Sequence, residues 1–181
     1  MQESGEIEGK SAFLLDVIKR YDHYIATTNF KIGLMMSFIG VVALGLTIRA
    51  MSITPTQTSC NTAYYLAITT SVLTIATALF SSAKLLQALS PNTKSLNEKK
   101  SLIYFGDVSK HKNGIEGYKA SIENITPEEI LQDLAEQAFI LAEVATEKFE
   151  ILKTAVNTLK FGTIPLLGIS ILLLIAEGAT S

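Results

Sequence analysis

The sequence predicts an all-α membrane protein, with a transmembrane helical hairpin, a C-terminal transmembrane helix and long cytoplasmic helical extensions. Three uncharged stretches of the 181-residue chain predict it, at 32–48, 50–83 and 161–176. A hydrocarbon core of about 30 Å needs roughly 20 apolar helical residues, which the first two stretches supply. The third is short and needs neighbouring residues or a thinner bilayer to span. The mean hydropathy of +0.34 agrees with this fold class.

The chain should form one domain, 1–181, of five regions. They are a cytoplasmic helix at 10–29, the first span at 30–50, the second span at 62–84, a cytoplasmic helical region at 85–160 and the third span at 161–177. Lysine and arginine flank the first and second spans on one side, whereas the connector at 50–62, which contains Pro55, lacks them. The positive-inside rule then places the N-terminus in the cytoplasm and the connector outside. The N-terminal segment MQESGEIEGK is acidic, and no small-residue cleavage site lies between the first span and the next, so we predict no signal peptide.

Two long helices should feed the first and third spans. Leu14, Tyr21 and Ile25 recur at helical spacing, and no proline or glycine separates them from the first span. Thr126, Pro127 and Glu129 form a capping-box pattern that starts a second helix of about 35 residues. Its apolar positions form a near-heptad stripe of Ile130, Leu134, Ala138, Leu141, Ala145, Leu152 and Leu159. Such a stripe must be buried against the first helix or another subunit.

The segment between the second span and the long helix carries a basic cluster. Lys110, His111 and Lys112 precede Asn113-Gly114, a turn sequence. One interpretation is that these lysines meet anionic lipid headgroups. The other is that they hold an anionic ligand, whose phosphates need cations or backbone amides close together. The remaining candidate cations for such a site are Lys19, Arg20, Lys99 and Lys100.

Four hydroxyls recur on one face of the second span, and they are the candidate pore-lining residues. They are Thr70, Thr74, Thr77 and Ser81, at spacings of four, three and four. Polar residues in a span usually face a bundle interior or a water-filled path. The alternative is that they bond to carbonyls one turn back or pack against the small residues of the first span, Gly33, Ser37 and Gly40. A single hairpin and one short span cannot enclose a pore, so a channel requires an oligomer.

Enzymatic chemistry and metal binding are not predicted. The sequence has no phosphate-binding GxxxxGK[ST] loop, no GxSxG elbow and no CxxC pair. It has one cysteine, Cys60, and two histidines, His23 and His111, so we expect no metal and no cofactor. With a net charge of −2 there is no basic field for double-stranded nucleic acid.

Three segments resemble the Pycsar-effector-type membrane domain, which is related to the SLATT group of bacterial antiphage effectors. The opening stretch, LLDVIKRYDHYIATTNFKIGLMMSFIG, is similar through Arg20, Tyr21, Asp22, Tyr24, Ile25, Asn29, Lys31 and Gly40. SLIYFGDVSK at Ser101–Lys110 is similar to an aromatic-Phe-Gly element that follows the hairpin. Ala142, Lys148, Phe149 and Leu152 have a similar phase on the long helix.

The resemblance implies a multi-pass effector of the bacterial inner membrane. Such a protein is opened by a nucleotide second messenger, the product of a partner nucleotidyltransferase or cyclase, and disrupts the membrane to cause abortive infection. The chain departs from the expected layout because no appended cyclic-nucleotide-binding domain is visible, so the cytoplasmic helices or a partner must sense the signal. Together with the unburied apolar faces, this predicts a homo-oligomer, with a tetramer expected, embedded in the lipid bilayer. The alternative function is a non-conducting scaffold that recruits a soluble partner through the acidic helix Glu128–Lys160.

Overall fold

The computed structural model describes residues 2–52, 61–90 and 101–180. Their regular structure consists of α1 (Gln2–Ser52), α2 (Asn61–Leu89), α3 (Phe105–Val108), α4 (Gly114–Asn124), α5 (Pro127–Thr158), a π-helical turn (Leu159–Thr163) and α6 (Ile164–Thr180). Three helical stretches are long and apolar enough to cross a membrane: Gly5–Ser52, Tyr64–Leu89 and Pro127–Ala176. The predicted all-α membrane fold is therefore confirmed. The predictions made for Pro55, Cys60, Lys99 and Lys100 concern residues outside the described ranges.

The chain divides into two compact units. One, which we call the head unit, comprises Met1–Thr27 and Pro91–Glu147. The other, the span unit, comprises Thr28–Ser90 and Lys148–Ser181. Both α1 and α5 contribute residues to each unit.

In the span unit, α2 packs against the π-helical turn and α6 along a line of small residues. Its buried positions alternate at spacings of four and three: Ala67, Ser71, Thr74, Ala78, Ser81, Leu85 and Ala88. This heptad spacing keeps one face toward its partners when helices cross at a shallow left-handed angle. Because six of the seven are Ala, Ser or Thr, the backbones approach closely, as membrane helices require.

Two apolar clusters fill the span unit. The first joins Ile32 and Ile39 of α1 to Leu85 of α2 and to Leu152 and Ala155 of α5. The second joins Leu46, Ala67 and Leu174, one each from α1, α2 and α6. The outward-facing side chains are large and apolar, including Val41 at 72% and Leu172 at 70% exposure. Lipid tails suit such a surface, which in a soluble protein would cause aggregation.

The π-helical turn between α5 and α6 is explained by Pro165. Proline has no N–H, and its ring clashes with the carbonyl four residues back, here that of Phe161. The backbone widens by one residue, and the N–H of Ile164 reaches the carbonyl of Leu159, five residues earlier. The helix continues through this insertion. The next buried position after Leu159 is Thr163, one residue later than the heptad spacing of α5 would place it. The continuous helix into the third span agrees with the prediction, but the π-helical turn was not foreseen.

In the head unit, the predicted capping box at the start of α5 is confirmed. The N–H of Glu129 donates to Thr126 Oγ1 at 3.3 Å, and the N–H of Thr126 donates to Glu129 Oε2 at 3.2 Å. Within the single chain the first member of the predicted stripe, Ile130, is 38% exposed. The heptad that runs back from Leu134 passes through Leu131, which is half-buried, rather than through Ile130.

Candidate ligand cavity and hydroxyl seam

Residues 101–104 of the head unit form a loop that side chains hold from three directions. Ser101 Oγ accepts the N–H groups of Ile103 at 3.0 Å and Tyr104 at 2.9 Å. The N–H of Leu102 donates to Asp133 Oδ2 of α5 at 2.9 Å, and the carbonyl of Leu102 accepts the hydroxyl of Tyr118 of α4 at 2.9 Å. Since both backbone groups of Leu102 are paired with side chains, the loop is fixed against α4 and α5.

A second fixed element is the turn from His111 to Gly117. Asn113 and Gly114 are both left-handed, with φ of 63° and 59°. A Cβ on Gly117 would lie 2.0 Å from the carbonyl oxygen of Lys112, so only glycine permits this approach. His111 Nδ1 lies 2.9 Å from the same carbonyl, and because a carbonyl only accepts, Nδ1 carries the hydrogen. The other ring nitrogen, Nε2, lies 3.2 Å from Ser121 Oγ.

These elements surround a cavity of about 300 Å³. It is lined by Ser101, Leu102, His111, Ser121, Asn124, Ile125, Glu129, Gln132, Asp133 and Glu136. The lining includes three carboxylates and one imidazole, with only two apolar side chains, Leu102 and Ile125. A pocket of this size is at the lower end of the range for small-molecule sites, and its polar groups can orient a ligand.

The structure separates the predicted ligand-binding residues into two sets. His111 lines the cavity. Its two neighbours in the chain, Lys110 and Lys112, are exposed and are not lining residues. Lys19 and Arg20 lie exposed on α1 of the same unit and are not lining residues, and Lys19 Nζ is 3.4 Å from Asp16 Oδ1. The acidic wall from α5 was not predicted as part of any site. The capping box had located Glu129, and Asp133 and Glu136 follow it at helical spacing on the same face.

In the span unit, hydroxyls from α2, α6 and the π-helical turn meet in what we call the hydroxyl seam. Thr74 Oγ1 lies 3.1 Å from Ser170 Oγ, and the hydroxyl of Thr163 donates to Thr77 Oγ1 at 3.2 Å. Because a hydroxyl has one hydrogen, one of Thr74 and Ser170 donates to the other, and the second donates to a carbonyl of its own helix. These carbonyls are those of Thr70, 2.7 Å from Thr74 Oγ1, and Leu166, 2.8 Å from Ser170 Oγ. Such pairs hold membrane helices together.

The four candidate pore-lining residues occupy different environments in the described chain. Thr74 and Ser81 have no exposed surface, whereas Thr70 and Thr77 are partly exposed. Ser81 Oγ has no hydrogen-bond partner among the residues that the structure describes. The face they share packs on the third span, while the small residues of the first span lie on an open surface: a Cβ at Gly33 or Gly40 would meet nothing within 4 Å.

Lys148 is a buried cation at one end of the span unit, with 8% exposure. Its ammonium donates to the carbonyl of Ala88, in the last turn of α2, and to Asn29 Oδ1 of α1 at 3.4 Å. The last carbonyls of a helix lack partners within it and carry partial negative charge, so a cation suits this position. Asn29 and Lys148 were each noted for family resemblance, but their contact across the bundle was not predicted.

Comparison with known proteins gives two matches. Residues 13–176 match the sequence profile described as the Pycsar effector protein domain. The chain is also 30% identical over 150 residues to the Pycsar effector protein EcPycTM of Escherichia coli, covering 80% of each chain. No solved structure matches the chain significantly.

Proposed function

The chain belongs to the Pycsar effector family of transmembrane antiphage effectors, and from this premise we propose that it is a nucleotide-opened pore. In this proposal it forms a homo-oligomer, a tetramer, in the bacterial inner membrane with its N-terminus in the cytoplasm. A nucleotide second messenger from a partner nucleotidyltransferase or cyclase binds the head unit. The span unit then conducts, the membrane depolarises and the infected cell stops supporting the phage.

The observation that carries this proposal is that α1 and α5 each contribute to both units. The head unit contains a cavity with fixed walls. Two helices of the head unit, α1 and α5, continue as spans, and α5 also lines the cavity. A ligand can shift an equilibrium only by binding one state better than the other. Binding at the head unit therefore has a direct physical route to the spans, through continuous helices.

The proposed ligand contacts are His111 in the cavity and Lys110 and Lys112 beside it, with Lys19 and Arg20 as further cations. The lining charges constrain how an anionic ligand sits. A phosphate about 6 Å from one carboxylate is repelled by about 3 kcal/mol at an effective dielectric constant of about 20. The lysines outside the lining are thus the more favourable phosphate partners.

For conduction we propose that Thr70, Thr74, Thr77 and Ser81 line the path after α2 separates from the third span. With Thr74 and Ser81 buried, the described arrangement corresponds to the closed state in this proposal. Opening then exchanges hydroxyl–hydroxyl bonds such as Thr74–Ser170 for bonds to water, which costs little because the groups remain satisfied. No charged ring is part of the proposed path, so the pore should discriminate weakly between ions.

The test is membrane potential in cells that express the protein with an inducible nucleotide cyclase. We expect depolarisation only when the protein is expressed together with a catalytically competent cyclase. Thr74→Leu or Thr77→Leu should abolish depolarisation while expression and oligomer size on native mass spectrometry are retained. Thr69→Leu, at an exposed position of the same helix, is the matched control and should depolarise normally.

Two results would redirect the proposal. Unchanged depolarisation in the Thr74 and Thr77 variants would move the path to the open face of Gly33, Ser37 and Gly40. Absence of depolarisation in the wild type, with a soluble protein recovered on α5, would favour the scaffold function instead. A monomer in several mild detergents would contradict the oligomer.

A further inference from the structure

The cavity of the head unit is rich in hydrogen-bond acceptors, and this limits what it can hold. Asp133 and Glu136 each accept one bond through a single oxygen: Asp133 Oδ2 from the N–H of Leu102 and Glu136 Oε1 from Gln132 Nε2 at 2.9 Å. A carboxylate has two oxygens and about four acceptor sites, so both retain capacity toward the cavity. An ionised carboxylate cannot donate. The complementary ligand surface therefore presents N–H or O–H groups.

Cations occur instead in the turn that carries the lining residue His111. Lys110 and Lys112 flank His111 in the chain and are exposed. The turn that carries them is fixed, because the carbonyl of Lys112 accepts a hydrogen bond from His111 Nδ1 and lies close to the Cα of Gly117. Acceptors in the lining and cations next to His111 in the chain match a molecule with donors at one end and an anion at the other.

We propose that the cavity binds the donor-bearing part of a nucleotide, its sugar hydroxyls or its amino and ring N–H groups, while the phosphate stays outside against Lys110 and Lys112. This deepens the proposed function and rests on it. The walls from α5, with Glu136 and Asp133, then select the nucleoside, and the basic turn supplies affinity for the phosphate. Selectivity arises because a nucleoside without the matching donors leaves these half-buried acceptors without a partner on the ligand.

The sign of one substitution distinguishes this orientation from its reverse. Glu136→Gln removes a negative charge from the cavity wall. If the phosphate lay inside, affinity would rise because a repulsion is lost. If donors lie inside, a charge-assisted bond is lost and affinity falls, with about a tenfold loss expected since such bonds are about twice as strong as neutral ones.

The experiment measures binding of the 3′,5′-cyclic monophosphates of adenosine, guanosine, cytidine and uridine to the full chain in lipid nanodiscs. For the nucleotide that binds, Glu136→Gln should weaken binding about tenfold, and Lys112→Gln should weaken it and reduce its salt dependence. Glu143→Gln, one heptad further along α5 and exposed, and Lys119→Gln, exposed on α4, are the matched controls and should bind as the wild type does. Thermal unfolding of each variant verifies that the fold is retained.

Two further ligands separate the sources of the donors and of the charge. The phosphate-free nucleoside should remain sensitive to Glu136→Gln and lose its sensitivity to Lys112→Gln. A 2′-deoxy analogue that no longer responds to Glu136→Gln assigns the contact to the sugar, and one that still responds assigns it to the base.

The failures are also distinct. Tighter or unchanged binding in Glu136→Gln, with wild-type binding intact, overturns the orientation alone. If none of the four nucleotides binds the wild type, the nucleotide-opened pore and this inference both fail.

Discussion

Replacing the buried Lys148 tests whether a single ammonium joins three helices at one end of the span unit. Lys148→Met keeps the length and the apolar packing of the side chain and removes its charge. The bond to the carbonyl of Ala88 is lost, and that carbonyl, in the last turn of α2, is left without this donor. Lys153→Met, an exposed position on the same helix, is the control.

The expected magnitude follows from three contributions. A hydrogen bond to a charged group contributes about 1.5–3 kcal/mol, and a cation at a helix C-terminus contributes about 0.3–2 kcal/mol. Against these stands the cost of burying the ammonium, which methionine avoids. A net loss of about 2 kcal/mol lowers the melting temperature by about 4–8 °C for a chain of this size.

The assay is thermal unfolding in detergent, with a double-mutant cycle to Asn29→Ala. Because the Lys148–Asn29 distance is long, 3.4 Å, we expect a coupling of only about 0.5 kcal/mol. Lys153→Met should change stability by less than about 0.5 kcal/mol. A melting temperature for Lys148→Met equal to that of the control would refute the reasoning.

Three further predictions concern stability and use the same assay. Gly117→Ala forces its Cβ against the Lys112 carbonyl and should lower the free energy of unfolding by about 1–3 kcal/mol. Gly9→Ala, at an open position of α1, should raise it by about 0.5–1 kcal/mol. Equal effects of the two substitutions would contradict the close approach at Gly117. Ser81→Ala removes a buried hydroxyl that has no partner in the described chain, and it should be neutral or stabilising. Thr74→Val breaks the bond to Ser170 and should lose about 0.5–1.5 kcal/mol, so a reversed order of these two variants would disprove the seam. Thr126→Ala removes the cap of α5 and should cost about 1 kcal/mol, with no loss counting against the capping box.

The helices could be predicted from sequence because their signals are local. The uncharged stretches, the pattern around Leu14 and Tyr21, and the capping box at Thr126 each involve residues that are close together in the chain. The stripe on α5 was predicted from its apolar members alone. Lys148 and Ala155 lie on the same heptad face in the structure. The burial of a lysine could not be predicted from α5 alone, because its partner is at the end of α2.

The candidate sites were harder because they depend on contacts distant in sequence. The hydroxyls of α2 were identified as a face, but Ser170 and Thr163, which meet that face, gave no periodic signal of their own. The basic turn at Lys110–Lys112 was conspicuous by charge. The acidic wall was not, because Asp133 and Glu136 resemble any solvated helix face until Leu102 is seen to bond to Asp133.

The central claim is that a nucleotide bound at the head unit opens the spans. The most direct measurement is dye release or ion flux from liposomes that contain only the purified full chain, titrated with the four 3′,5′-cyclic monophosphates. We predict that flux rises with the concentration of one of them, and that Lys110→Gln combined with Lys112→Gln shifts the response to higher concentration without changing its maximum. A chain that is folded and inserted, and whose flux none of these nucleotides changes, would contradict the account.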